Sequence, residues 1–371
     1  MIYRAIGLMS GSSLDGLDIA YIHFFENAGK WTFDIIEADC YPYSSALRHQ
    51  LQSATSLNAF NYQLLHTEYG HYLGEQVNAF INKYQLHYQV QVIASHGHTT
   101  FHIPAKKMTA QLGDGAAIAA ETGIIVVSDL RALDVALGGE GAPIVPIGDK
   151  LLFGDYTFCL NIGGIANMSS AYEGNYISFD ICPANRVLNM LAEKAGKEYD
   201  DNGSMARGGS VEFTLLQQLN RLDFYAKDYP KSLANDFGTE VVFPLINQRV
   251  HSTADLLATY VEHIAMQIKN AIEKIEHKKP SDRQASTDKK TLLVTGGGVY
   301  NTFLMERLKD VLSPFNIEVV IPSDKIVKYK EALVMALIGL LRWREENNVL
   351  SSVTGASRSS IGGAIWMGAE A

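Results

Sequence analysis

Apolar residues run almost unbroken from Tyr3 to Leu8, a Gly/Ser/Asp-rich turn follows, and a second apolar run spans Leu17 to Phe24. Two short apolar runs on either side of turn residues predict a buried β-hairpin. Trp31 to Cys40 continues as a third extended segment, with Trp31, Phe33 and Ile35 on one face. The period then changes: between Tyr62 and Tyr84, residues Leu65, Tyr69, Tyr72, Leu73, Val77, Phe80 and Ile81 form one helical stripe.

The same grammar restarts in mid-chain. Thr157 to Ile162 is strand-like, Gly163 and Gly164 turn, Ala166 to Tyr172 returns, and Tyr176 to Asp180 is a third strand. Thr253 to Glu276 predicts a long amphipathic helix through Leu257, Tyr260, Val261, Ile264, Ile268, Ile272 and Ile275. His277 to Lys290 is polar and without apolar period, an exposed loop. Leu292 to Thr295 is a buried strand running into glycines, and Lys330 to Glu346 closes the helices, with Leu333, Ala336, Leu337 and Leu340 inward. A duplicated unit of strand, glycine turn and two strands, each followed by helices, predicts an α/β chain of two similar lobes with a ligand cleft between them. The lobe boundaries fall at 1–145 and 146–349, with part of 350–371 available to join the first lobe.

Composition narrows the function. At 371 residues and 47% hydrophobic the chain can bury two cores. Lys+Arg 31 against Asp+Glu 40, a net charge of -9, disfavours a nucleic-acid partner and favours a small molecule. Cys40, Cys159 and Cys182 include no close pair, so neither a disulfide framework nor a zinc cluster is suggested. The N-terminus MIYRAIGLMSGSS has no signal-length apolar core, and nowhere do about 18 apolar residues run together. The expectation is a cytoplasmic protein with no membrane partner.

The candidate chemistry begins at the first turn, Met9-Ser10-Gly11-Ser12-Ser13-Leu14-Asp15-Gly16-Leu17-Asp18. Its N–H groups and hydroxyls suit phosphate oxygens, and Asp15 could hold Mg²⁺ directly or through water. Alone it reads as an ordinary hairpin turn. Two more glycine turns at strand ends, with Gly163 and Gly164 and with Gly296, Gly297 and Gly298, change that weighing. Actin-like ATPases and sugar kinases place one glycine hairpin from each lobe on the phosphates and a third glycine loop beside the nucleotide. Neither the P-loop nor the dinucleotide fingerprint occurs in its required context. Asp180 ends a strand before Pro183, where it serves equally well as a base or as the cap of the helix that follows. In Ser95-His96-Gly97-His98-Thr99, two histidines would share a strand face. The absence of a nearby Asp, Glu or Cys cluster favours hydrogen bonding to sugar hydroxyls over a metal. Arg131, between Asp129 and Asp134, could take a carboxylate bidentately or make an ordinary salt bridge.

Read together, MSGSSLDGLD, SHGHTTFHIP, SDLRALDVALGGEGAPIVP, LNIGGIANMS, FDICPAN, YDDNGSMARGG, VTGGGVYN and VTGASRSSIGGAI resemble the anhydro-N-acetylmuramic acid kinase family, nearly end to end. The resemblance implies two actin-like (ribonuclease H-like) lobes, each with a mixed central sheet. It implies that ATP and water convert the 1,6-anhydro sugar into N-acetylmuramic acid 6-phosphate in cell-wall recycling. It places ATP, with Mg²⁺, on Ser10, Gly11, Ser12, Ser13, Asp15, Gly16, Gly163, Gly164, Gly296, Gly297 and Gly298. The sugar falls to His96, Thr99, Asp129, Arg131 and Glu331, and the base is Asp180. A homodimer is compatible with it. The family usually has Thr and Gly after that aspartate and Gly after the proline, where this chain has Ile181, Cys182 and Ala184. Two alternatives stand beside it, an actin-like kinase for another amino sugar and a catalytically silent nucleotide-binding sensor.

Overall fold

A computed structural model describes residues 1–11, 13–234, 236–247, 251–277 and 289–369. Ser12 of the first turn and residues 278–288 of the expected polar loop lie outside them. The chain divides into two compact units, Met1–Leu152 with Tyr329–Ala371, and Phe153–Lys328. Among the described residues the strands, numbered β1 to β13 in chain order, form a six-stranded sheet, a five-stranded sheet and a hairpin.

In the first unit β1 (Ile2–Ser10), β2 (Gly16–Asn27) and β3 (Lys30–Pro42) form an antiparallel meander. Next to it β4 (Val92–Ser95) and β7 (Ile125–Ser128) run parallel to β1. β5 (His98–Ile103) and β6 (Met108–Leu112) pair as the separate hairpin. In the second unit β8 (Phe158–Ile162), β9 (Ile165–Tyr172) and β10 (Asn175–Pro183) form the antiparallel meander. There β11 (Lys290–Thr295) and β12 (Ile317–Val320) are the parallel pair. The orders β3-β2-β1-β4-β7 and β10-β9-β8-β11-β12 are the same arrangement twice, so the repeat legible in the sequence is a repeat of topology. Each unit is an α/β lobe of the actin-like type with its own mixed sheet.

The C-terminal strand β13 (Ala364–Trp366) adds to the first sheet, antiparallel to β7, with Ile365 opposite Val127. The helix expected over Lys330–Glu346 spans Asp324–Trp343. Its first turns, DKIVKYK, carry too little apolar period to announce a start. This helix reaches β1 because Gly7 has no side chain: an added Cβ would collide with the carbonyl of Ala332. The helix Ala59–Tyr84 starts at Asn58, whose side chain accepts from Asn61 N. It buries Leu65, Tyr69, Leu73, Val77, Phe80 and Ile81 as the stripe requires, while Tyr72 is half-buried. Among the described residues no helix is long and apolar enough to cross a membrane.

Candidate active site

The β1–β2 turn is anchored from below. Ser10 is buried, its Oγ accepts from the Tyr43 hydroxyl at 2.9 Å, and it lies 3.4 Å from His98 Nδ1. Tyr69 meets the Tyr43 hydroxyl at 2.7 Å. With Ser10 committed inward, the groups the turn offers outward among the described residues are those of Gly11, Ser13 and Asp15. Gly16 belongs to the packing, since an added Cβ would stand 2.6 Å from Tyr41 O.

Three residues beyond Asp15, burial pushes the Asp18 carboxyl up to about 6. The charges of Glu331 and Asp15 push in the same direction, and a hydrogen bond with Cys40 pulls it back. An acid raised from 3.8 in the open chain to about 6 in the fold opposes folding once charged. That penalty is absent below pH 3.8, grows through the interval and is complete above about 6. Asp18→Asn is therefore expected to raise the melting temperature above pH 6 and to leave it little changed below pH 4, in thermal scans across that range.

The other two glycine turns separate by what a Cβ would meet. At Gly163 it would meet Asn161 Nδ2 at 3.5 Å and Ile165 O at 3.7 Å, at Gly164 only the Arg186 side chain near 3.9 Å, and at Gly297 only Asn185 Nδ2 at 3.5 Å. At these three an added Cβ would make only ordinary van der Waals contacts, so the backbone is approachable, as a turn contacting phosphate oxygens needs. Gly298 would strike the Ile162 side chain, and Gly296, at φ +84, would lie 2.6 Å from Asn161 Oδ1. These two are glycine because the β8 end packs against them. Gly298→Ala is expected to lower the melting temperature by several degrees, whereas Gly163→Ala leaves it within error and weakens nucleotide binding, read by calorimetry.

Beside Gly297 a cavity of about 460 Å³ is lined by Asn185, Asn189, Tyr199, Asn202, Tyr300 and Asn301, among others. Tyr199 to Asn202 of YDDNGSMARGG and Gly297, Tyr300 and Asn301 of VTGGGVYN line it together with Asn185, Leu188 and Asn189. Asp200 accepts from Met205 N and Ala206 N at 2.8 and 2.9 Å, and Asn301 caps the helix Thr302–Leu312 through Leu304 N at 2.9 Å. Gly203 leaves room for the Asn301 side chain, which a Cβ would strike. Apart from Gly297, the sequence reading assigned none of these residues a role, although both motifs were in view.

In the first unit His96 and Arg131 form one assembly. The two histidines do not share a strand face: β4 ends at Ser95, Gly97 turns at φ +68, and His98 opens β5. His96 Nδ1 donates to Gly97 O at 2.9 Å, and its Nε2 accepts from Arg131 Nε and Nη2 at 3.0 and 2.8 Å. Burial, with the guanidinium beside it, pushes the imidazole down to about 3, so His96 is neutral and its Nε2 lone pair is used. Arg131 Nη1 donates to Gly141 O at 2.6 Å. Burial brings the guanidinium down to about 10, leaving it charged at neutral pH. Of its five N–H groups, one on each terminal nitrogen remains outside these bonds, the pair that faces a carboxylate end-on.

Gly141 is itself held: Asp134 Oδ2 accepts its N–H at 2.8 Å, and Asp134 Oδ1 accepts from Thr354 Oγ1 at 2.7 Å. The loop carrying Arg131 is thus tied to the C-terminal segment of the chain. Asp129 follows β7 with φ +56, exposed, its Oδ2 accepting from Ser128 Oγ at 2.7 Å. Thr99 is exposed on β5. Glu331 is solvent-accessible yet crowded by protein. Desolvation raises its carboxyl, and Arg131 and Lys330 pull it back. Lys330 turns the other way, into a buried ion pair with Asp149 at 2.6 Å.

Asp180 does not end its strand. β10 continues to Pro183, and its register against β9 shifts between Asp180 and Cys182, a bulge at Ile181. Bulges re-aim neighbouring side chains and favour positions next to active sites. Asp180 does not cap the following helix either. That helix, Asn185–Glu193, has Ala184 at its N-cap and no side-chain cap bond. The carboxylate instead accepts from Ser232 Oγ at 3.1 Å and Leu233 N at 2.8 Å, both on Oδ2. Burial raises its pKa, while those donors and the Lys231 ammonium hold it back. Ile181, Cys182 and Ala184 are buried and belong to the core of the second unit.

Two lobes of identical strand order, each with a glycine turn between its first two strands, define the class: an actin-like α/β chain. The family model described as "Anhydro-N-acetylmuramic acid kinase" matches residues 3–368. An anhydro-N-acetylmuramic acid kinase from Pasteurella multocida is 35% identical across 97% of this chain and 96% of the relative. Proteins of the same name from Haemophilus influenzae and Aliivibrio fischeri are each 33% identical, covering 97% and 98% of this chain and 97% and 99% of theirs. The chain belongs to the anhydro-N-acetylmuramic acid kinase family.

Proposed function

We propose that this chain is an ATP-dependent kinase that opens the 1,6-anhydro ring of anhydro-N-acetylmuramic acid with water and phosphorylates the released O6. The observation that carries the reading is Asp180, a carboxylate set beside a bulge and held on one oxygen by a distant segment. Asp180 takes a proton from water as the water oxygen bonds to the anomeric carbon. The bond from that carbon to O6 breaks, O6 keeps the electron pair and attacks the γ-phosphorus, and ADP leaves. The proton passes from Asp180 to solvent. One base suffices because the ring-opening step itself generates the phosphoryl acceptor.

The nucleotide phosphates are assigned to the turns at Gly11 and Ser13, at Gly163 and Gly164 and at Gly297; the Gly163 N–H donates to Ile165 O, so that turn would present its remaining groups. Ser12 is carried over on resemblance alone. Ser10, Gly16, Gly296 and Gly298 shape those turns, and the cavity beside Gly297 takes the nucleoside. Arg131, aligned by His96, is assigned the lactyl carboxylate that distinguishes a muramic acid from other amino sugars, with Thr99, Asp129 and Glu331 on its polar groups. Asp15 would hold Mg²⁺. Among the described residues no group of three or more His, Cys, Asp or Glu could hold a metal ion alone. That fits an ion held by one or two carboxylates together with substrate phosphates. Bound there, Mg²⁺ neutralises triphosphate charge. The reaction draws on ATP and so belongs to the cytoplasm. Purified protein supplied with ATP is expected to release ADP on addition of the anhydro sugar and not with N-acetylglucosamine. No stimulation by the anhydro sugar contradicts the substrate, and stimulation by N-acetylglucosamine alone favours a kinase for another amino sugar.

A further inference from the structure

Asp180 is gripped from two sides by residues about fifty positions further along the chain. Its backbone N–H donates to Lys231 O at 3.0 Å, and its Oδ2 accepts from Ser232 Oγ and Leu233 N. The gripping segment is fixed in turn. Tyr229 stacks on Phe179, the neighbour of Asp180 on β10, with ring centroids 5.3 Å apart and planes 17° from parallel. The Lys231 ammonium donates to Phe224 O at 3.3 Å and lies 4.4 Å from the centre of the Phe224 ring. Leu233 is buried in the core of the second unit. Among the described residues none donates a hydrogen bond to Oδ1. A carboxylate with one oxygen saturated and the other unengaged can rotate only by giving up both donors, so the two oxygens are not interchangeable.

We propose that the segment Tyr229–Leu233 is a strap that orients Asp180, with Ser232 as a positioning residue and Oδ1 as the atom that accepts the proton from water. This rests on the reading of Asp180 as the base. The strap does two things. It points one oxygen at a fixed place, and its donors favour the ionised form against the burial that opposes it. Lys231 contributes by charge, and burial with the nearby Lys274 brings its own ammonium down to about 8.

Ser232 is solvent-exposed, so replacing it leaves the core intact. The test compares Ser232→Ala and Ser232→Thr with the parent, measuring kcat and kcat/KM for the anhydro sugar across pH, with Asp180→Asn alongside. Ser232→Ala is expected to lower kcat about tenfold with little change in sugar KM, the scale of one hydrogen bond to a charged group. It is also expected to move the acid limb of kcat/KM to higher pH, because the carboxylate loses a donor that favours ionisation. Ser232→Thr, which keeps the hydroxyl, is expected to restore both. An acid limb in Ser232→Ala that coincides with the parent's, or a Thr variant no better than Ala, overturns the strap. If Asp180→Asn is silent while the Ser232→Ala profile is unmoved, only the strap fails. Near-parental turnover in Asp180→Asn removes the base reading itself.

Discussion

Asp180→Asn is expected to cut sugar-dependent ADP release by about 10²- to 10⁴-fold, the range a positioned general base contributes, while ATP affinity stays within about twofold. The amide keeps an oxygen that can accept from Ser232 and Leu233, so the bulge at Ile181 and the strap stay in place and the change is confined to proton transfer. Turnover assays with and without the sugar, paired with calorimetric titration of ATP, separate the two quantities. Burial raises the Asp180 carboxyl. In the parent the acid limb of kcat/KM is therefore expected above the range of an ordinary aspartate, since the base works only when ionised.

The second large effect is expected at Arg131. Its guanidinium spans His96 and Gly141 and leaves one N–H on each terminal nitrogen outside those bonds, the pair proposed to meet the sugar carboxylate. Arg131→Ala removes a charge-assisted bidentate pair, and the sugar KM is expected to rise about 100-fold or more, on the scale of 1.5–3 kcal/mol per charged hydrogen bond. Arg131→Lys is expected to recover little, because an ammonium cannot hold His96 Nε2, Gly141 O and a ligand in one plane. A lysine variant with near-parental KM would show that charge alone, rather than the fork set by His96, binds the sugar.

The two three-stranded meanders and the long helices were legible because each lobe announces itself by apolar runs and glycine turns, while short elements such as β12, β13 and the helix Thr302–Leu312 were not. Both long helices, Ala59–Tyr84 and Thr253–His277, lie where the stripes through Leu65 and Leu257 placed them. The helix beginning at Asp324 was expected six residues late, because its first turns are charged and exposed on most sides. Asp180 shows the sharper limit. Sequence offered a helix cap and a base with equal claim, since both use a carboxylate before Pro183. The residues that engage the carboxylate in place of a cap, Ser232 and Leu233, stand about fifty positions away with no local signal joining them to β10. The bulge at Ile181 was equally invisible, a consequence of pairing with β9 rather than of propensity. His96 was read as a sugar contact or, less favourably, a metal ligand. Its engagement with Arg131 depends on β4 and the loop after β7 being neighbours, which is a property of the sheet.

The mass of the sugar product after incubation with ATP distinguishes the coupled reaction from plain phosphorylation. The anhydro sugar is expected to gain one water and one phosphoryl group, with one ADP formed per sugar consumed. A product that gains a phosphoryl group without water, or an unchanged sugar beside ADP and free phosphate, would contradict the coupled reaction.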